Sequence, residues 1–140
     1  MRDWLPVVLW MAAIFWGSSL SALPGPLGAQ SVWGERLRDA THVAEYAVLS
    51  GLAYQALRAT AQPELLSRHG AARAGRLAGA AQDEGRCKPM LLALALSLAY
   101  AVLDETHQHF VPGRQFAVAD LLLDAEGSIL ALAALRALLA

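Results

Sequence analysis

Apolar residues in this chain come in long runs, and polar residues gather between the runs instead of alternating within them. Residues 5–23 carry no charge. A helix of that length spans roughly 28 Å at ~1.5 Å per residue, about the hydrocarbon thickness of a bilayer. Trp4, Trp10 and Trp16 lie within or beside it, with Trp4 placed to anchor one interface. Pro24-Gly25-Pro26 then stops it. Residues 31–40 read as a polar connector of balanced charge, with Glu35, Arg36, Arg38 and Asp39. A second helix follows over residues 41–57. It is polar only in its first turns, at His42, Glu45 and Tyr46, and Arg58 closes it where a long stem can snorkel. Residues 59–88 read as a long Ala- and Gly-rich connector, loosely ordered with at most a short helix. Residues 89–103 are uncharged again, and extending them through Gln108 gives a full crossing with a polar last turn. The fourth run, 116–139, opens on Asp120, Asp124 and Glu126, then turns almost wholly apolar, with Arg136 near its end.

This pattern predicts an all-α fold. Four transmembrane helices, at about residues 4–23, 41–58, 88–108 and 116–139, form a small bundle in one domain over residues 1–140. Composition agrees: 56% of residues are apolar and mean hydropathy is +0.40, both high for a soluble domain. A net charge of −1 gives no reason to expect a nucleic-acid partner. The single Cys87 excludes an intrachain disulfide and a cysteine-based zinc site. Arg2 gives the first run a short basic start, as in a cleaved leader. Ala22 is a poor cleavage point, however, with Leu20 two residues before it, so the run is read as an uncleaved span.

Four spans put alternate connectors on opposite sides. The 59–88 connector is the basic one, with Arg58, Arg68, Arg73, Arg76, Arg86 and Lys88 in or beside it against Glu64, Asp83 and Glu84. It is therefore expected in the cytoplasm, together with both termini, in a multi-pass protein of the bacterial cytoplasmic membrane. This orientation sends every unusual polar group outward. His42, Glu45 and Tyr46 lie at the outer end of the second helix, Asp104, Glu105, His107 and Gln108 at the outer end of the third, and Asp120 and Asp124 in the outer half of the fourth. Val111-Pro112-Gly113 supplies the turn that folds the last two groups together, with Arg114 beside it. A charge inside a span costs roughly 2.5–3.5 kcal/mol on insertion scales, so such groups face the bundle interior or water. Asp120, Asp124 and Gly127 fall on one helix face, the glycine allowing a neighbouring helix to come close.

These motifs resemble those of the VanZ-like integral membrane proteins of bacteria, a family named for a teicoplanin-resistance protein. The strongest match is Asp104-Glu105-x-His107-Gln108, then Pro112-Gly113-Arg114, Asp120, an acid or amide at 124, and Gly127. Phe15-Trp16-Gly17-Ser18-Ser19 is similar to the family's apolar first helix closing on a Ser-Ser pair, and His42-x-x-Glu45-Tyr46-x-x-Leu49 to its second motif. Two positions depart from the family pattern: Asp124 stands where the family usually has Asn, and Ala40 where it usually has Lys. Both make the site more acidic. The resemblance implies a four-span envelope protein and, for partners, membrane lipids and a lipid-linked envelope precursor or a glycopeptide.

The polar cluster itself leaves three readings open. Glu45, Asp104, Glu105, Asp120, Asp124 and Glu126 face Arg114 and the histidines. They can form an internal salt-bridge network, with Arg114 paired bidentately to a carboxylate and Asp120 held by Arg114 or His107. They can form a pocket for a lipid headgroup, with Arg114 and His107 as donors. Or His42, Glu45, Glu105 and His107 can ligate a divalent cation in a membrane-embedded hydrolase, with Asp120 or Asp124 as base. No compact metal motif is present, so no cofactor other than such a cation is expected. A proton-coupled transporter would need polar inner half-spans, and these are apolar.

Overall fold

The computed structural model describes residues 2–20, 32–68 and 78–139. The Pro24-Gly25-Pro26 stop and the Ala22 cleavage point lie outside them. The described residues form an all-α structure without strands: a 3-10 turn at Arg2–Trp4, then α1 (Leu5–Ser19), α2 (Val32–Arg68), α3 (Ala78–Gln108) and α4 (Val118–Leu139).

Helix α2 differs from expectation at both ends. Residues 32–40, within the segment read as a connector, are its first turns. Much of the 59–88 connector is also helical, because α2 runs on to Arg68 and α3 begins at Ala78. Ala, Gln, Glu, Leu and Arg dominate these stretches, and all are good helix formers. Glu35 in the first turn of α2 suits the positive end of the helix dipole. Pro89 lies inside α3, where it removes one backbone hydrogen bond at the start of the apolar part.

Cross-contacts fix the directions of the four helices. Trp10 Nε1 donates to the Glu45 carbonyl across α1 and α2 (2.9 Å), and Tyr100 Oη donates to the Met11 carbonyl across α3 and α1 (2.6 Å). Helices α1 and α3 run one way and α2 and α4 the other. The parallel pair α2 and α4 makes the most extensive packing. Small side chains allow it. Ser50 and Ser128 are fully buried, Ser128 Oγ donates to the Tyr46 carbonyl, and Gly127 lies against the Val43 backbone. The apolar core has two parts. One gathers Val7, Ile14, Tyr46, Leu49, Ala56 and Ala101; the other, towards the end of α4, gathers Ala53, Tyr54, Ala93 and Leu132.

Polarity is distributed inside out. Leu9, Trp16, Leu91, Leu103, Leu122, Ile129 and Leu130 are each more than half exposed, while Ser97, Glu105, Asp124 and Ser128 are completely buried. A water-soluble bundle sorts these residues the other way. One described helix, over Arg86–Gln108, is long and apolar enough to cross a membrane.

Candidate functional site

The third turn of α2, the start of α4 and the antiparallel end of α3 come together, and His42, Asp104, Glu105, Gln108, Asp120 and Asp124 gather there. The turn forms as the sequence predicts. Val111 N–H bonds the Gln108 carbonyl, Arg114 N–H bonds the Val111 carbonyl, and Gly113 takes φ 84°, the positive value a type II turn requires after Pro112. Helix α4 then begins, and Glu105 reaches across from α3 to accept the Ala117 N–H through Oε2 (2.9 Å). A carboxylate from a neighbouring helix thus serves the amino terminus of α4, where negative charge is favoured.

Two linked sets of contacts organise the site. In the first, Asp104 on α3 is buried and accepts from Ser18 Oγ of α1 (2.6 Å) and from Gln108 Nε2 (2.8 Å). Gln108 in turn accepts from Arg114 Nη1 (2.8 Å), and Arg114 Nη2 also reaches the Leu20 carbonyl (3.4 Å). In the second, His42 on α2 lies between the two aspartates of α4. Nδ1 is 2.9 Å from Asp124 Oδ1 and Nε2 is 3.6 Å from Asp120 Oδ2. Glu105 closes the third side. One donor atom from each of His42, Glu105 and Asp120 lies within 4.8 Å of the others, and all three residues are buried. Glu105 Oε1, Asp120 Oδ1 and Asp124 Oδ2 are buried without a hydrogen-bond partner among the described residues.

Several expected pairings are replaced. Arg114 does not grip a carboxylate: among the described residues none lies within ion-pairing distance of it, and its charge reaches Asp104 only through the neutral Gln108. The turn holds Arg114 above the carboxylates, next to the amide that closes α3. Asp120 is held by neither Arg114 nor His107. Its neighbours are His42 and Arg38, whose Nη2 is 3.7 Å from Asp120 Oδ1. The cause is the parallel packing of α2 on α4, which sets the second and third turns of α2 beside the first turn of α4. His107 turns to α1 instead, stacked on Phe15 with its Nε2 3.0 Å from Ser19 Oγ. It is therefore not among the converging donors. Glu45 is half-buried beside the cluster, within electrostatic reach of His42, Asp104, Asp124 and Arg114. Tyr46 is buried one turn below, its ring against Tyr100 at 6.5 Å. Glu126 is exposed and outside the cluster.

Sequence reasoning passed over two participants. Arg38 was legible as the residue four before His42, hence on the same helix face. Ser18 was legible only as part of the Ser-Ser pair ending α1.

A helical bundle with buried acids at one end, an apolar exterior and a helix of spanning length has the form of a membrane protein. The chain matches the VanZ/LLP1 family model over residues 4–139, and it belongs to the VanZ-like family. Neither the curated proteins nor the solved structures include a match to it.

Proposed function

We propose that the chain is a four-span protein of the bacterial cytoplasmic membrane whose polar helix ends open at the outer face and engage the headgroup of a lipid or a lipid-linked envelope precursor. One observation carries the reading. Beneath an apolar exterior, the polar groups collect at a single end of the bundle, and the cations sit at the rim of that cluster while the acids fill its interior. Arg38 is 45% exposed at the side chain, and Arg114 and His107 are half-buried, whereas Asp104, Glu105, Asp120 and Asp124 are buried. Such a rim lies at headgroup depth, and guanidinium groups suit the phosphate of a phospholipid or a lipid-linked precursor. Family membership adds a phenotype to examine, resistance to glycopeptides such as teicoplanin.

Two measurements test this. The basic 59–88 connector supports a cytoplasmic position for both termini. A reporter fused after Ala140 should then be active there; activity on the outer side would invert the bundle and point the polar end inward. In detergent, the purified protein should retain phosphatidylglycerol several-fold better than phosphatidylcholine, and replacing Arg38 and Arg114 together by Ala should remove the preference. An equal retention of the two lipids by the unsubstituted protein, or a preference that survives the double substitution, refutes the headgroup reading.

A further inference from the structure

The acidic interior of the cluster is more than a counter-ion to the basic rim. Glu105, Asp120 and Asp124 are 0%, 4% and 0% exposed, each comes from α3 or α4, and each has one carboxylate oxygen buried without a partner among the described residues. The cation nearest Asp120 besides His42, Arg38, stands 3.7 Å away and is half in solvent. Three carboxylates crowded in this way repel one another unless a positive charge lies between them.

The fourth member, His42, shows where that charge belongs. Asp124 Oδ1 is at hydrogen-bonding distance from Nδ1, and a carboxylate accepts, so the ring proton sits on Nδ1. In the neutral imidazole this leaves the lone pair of Nε2 turned towards Asp120 and Glu105. A carboxylate holding one ring nitrogen so that the other can ligate is the usual support of a metal-binding histidine. The distance from Nε2 to Asp120 Oδ2, 3.6 Å, is too long for a hydrogen bond. It suits two neighbouring ligands of one ion: with bonds of ~2.1 Å, adjacent donors in a tetrahedral site lie roughly 3.4 Å apart. Glu105 offers a third donor atom within 4.8 Å of both.

We propose that His42 Nε2, Glu105 and Asp120 bind one divalent transition-metal ion, of the Zn2+ or Mn2+ type, with Asp124 as the residue that positions His42. An imidazole with two carboxylates favours these ions over Mg2+ and Ca2+, which prefer all-oxygen sites. The ion offsets two of the three negative charges and ties α2, α3 and α4 together at their polar ends. All three donors are buried, and three protein donors leave a fourth tetrahedral position for a water or a further ligand. The inference stands apart from the headgroup reading, since it concerns the buried acids and not the arginine rim.

The test uses the full chain in detergent, stripped with a chelator and then titrated separately with ZnCl2 and MnCl2. Bound metal is measured after gel filtration and thermal midpoint by circular dichroism. The unsubstituted protein should take up about one equivalent of one of the two ions and show a raised midpoint. Glu105→Gln keeps an oxygen for the Ala117 N–H, so it should fold, yet bind metal at least ~100-fold more weakly; Asp120→Asn should do the same. Asp124→Asn keeps an acceptor for Nδ1 and should weaken binding only about 10-fold, the lower range for a supporting residue. His109→Ala, at an exposed histidine, should change nothing. Protein that takes up no ion and shows no midpoint shift overturns the proposal and leaves a protonated His42 between two aspartates. Uptake unchanged in both Glu105→Gln and Asp120→Asn overturns it equally, by placing the ion elsewhere.

Discussion

Replacing Gly127 by Ala should lower the stability of the bundle by about 3 kcal/mol, the upper range for overpacking a core. A Cβ built at Gly127 meets the Val43 carbonyl oxygen, with the Val43 carbonyl carbon at 2.9 Å and its Cα at 3.0 Å. All three obstacles are backbone. No side chain can rotate out of the way, so α2 and α4 must separate. The separation reaches the polar end, because Val43 adjoins His42 and Gly127 lies one turn beyond Asp124. The 2.9 Å contact between those two residues should lengthen with it. Gly51 is the control. It lies inside α2, a Cβ there meets nothing within 4 Å, and alanine is the better helix former by ~0.8–1.0 kcal/mol. Gly51→Ala should therefore leave the midpoint unchanged or raise it. Thermal midpoints of the two variants in the same detergent decide the matter. Similar behaviour of the two would mean that α2 and α4 do not pack closely in solution.

Gly127 was legible in the sequence because its spacing from Asp120 and Asp124 put it on the one helix face that had to be buried. The helices were legible for the same reason: long apolar runs leave few alternatives to a helix that satisfies its own backbone. Polar stretches carried less information. Residues 32–40 and 59–68 are helical through propensity and continuity with an apolar helix, and a charge-rich or Ala-rich stretch reads equally well as a connector. The membership of the site followed from depth, since Asp104, Glu105, Asp120 and Asp124 had to avoid lipid. Its pairing did not follow. Partner choice depends on which helices run parallel, so Asp120 meets Arg38 and His42 of α2 and not Arg114 of the nearer turn. Arg114 shows a second limit. A neutral glutamine carries its influence to Asp104, and no charge pattern along a chain reveals such a relay.

That relay gives the second large expected effect. Asp104 accepts two hydrogen bonds from different parts of the fold, Ser18 of α1 and Gln108 at the end of α3, and Gln108 passes the connection to Arg114 at the turn. Asp104→Ala removes both acceptors at a position only 4% exposed. Ser18 suffers little, because its hydroxyl already lies 3.1 Å from the Phe15 carbonyl and can donate there. Gln108 has no such alternative among the described residues: its amide nitrogen is left facing a small buried void, and Arg114 loses the carboxylate behind that amide. An unsatisfied buried donor costs roughly 1–3 kcal/mol, and the void adds to it, so the variant should lose about 3 kcal/mol. Asp104→Asn should cost much less. Its remaining oxygen can accept from Gln108 while its new amide donates to Ser18 Oγ, which turns its own proton to Phe15. This rearrangement needs Ser18, so the pair should be coupled. In Ser18→Ala alone the loss should be near 1 kcal/mol, the net value of one hydrogen bond. With Asp104→Asn added, the amide has no acceptor, and the double variant should lose at least 1 kcal/mol more than the sum of the two single losses. Denaturant unfolding of the four proteins, in one detergent, measures that coupling. Additive losses would show that Ser18 and Asp104 do not share a proton.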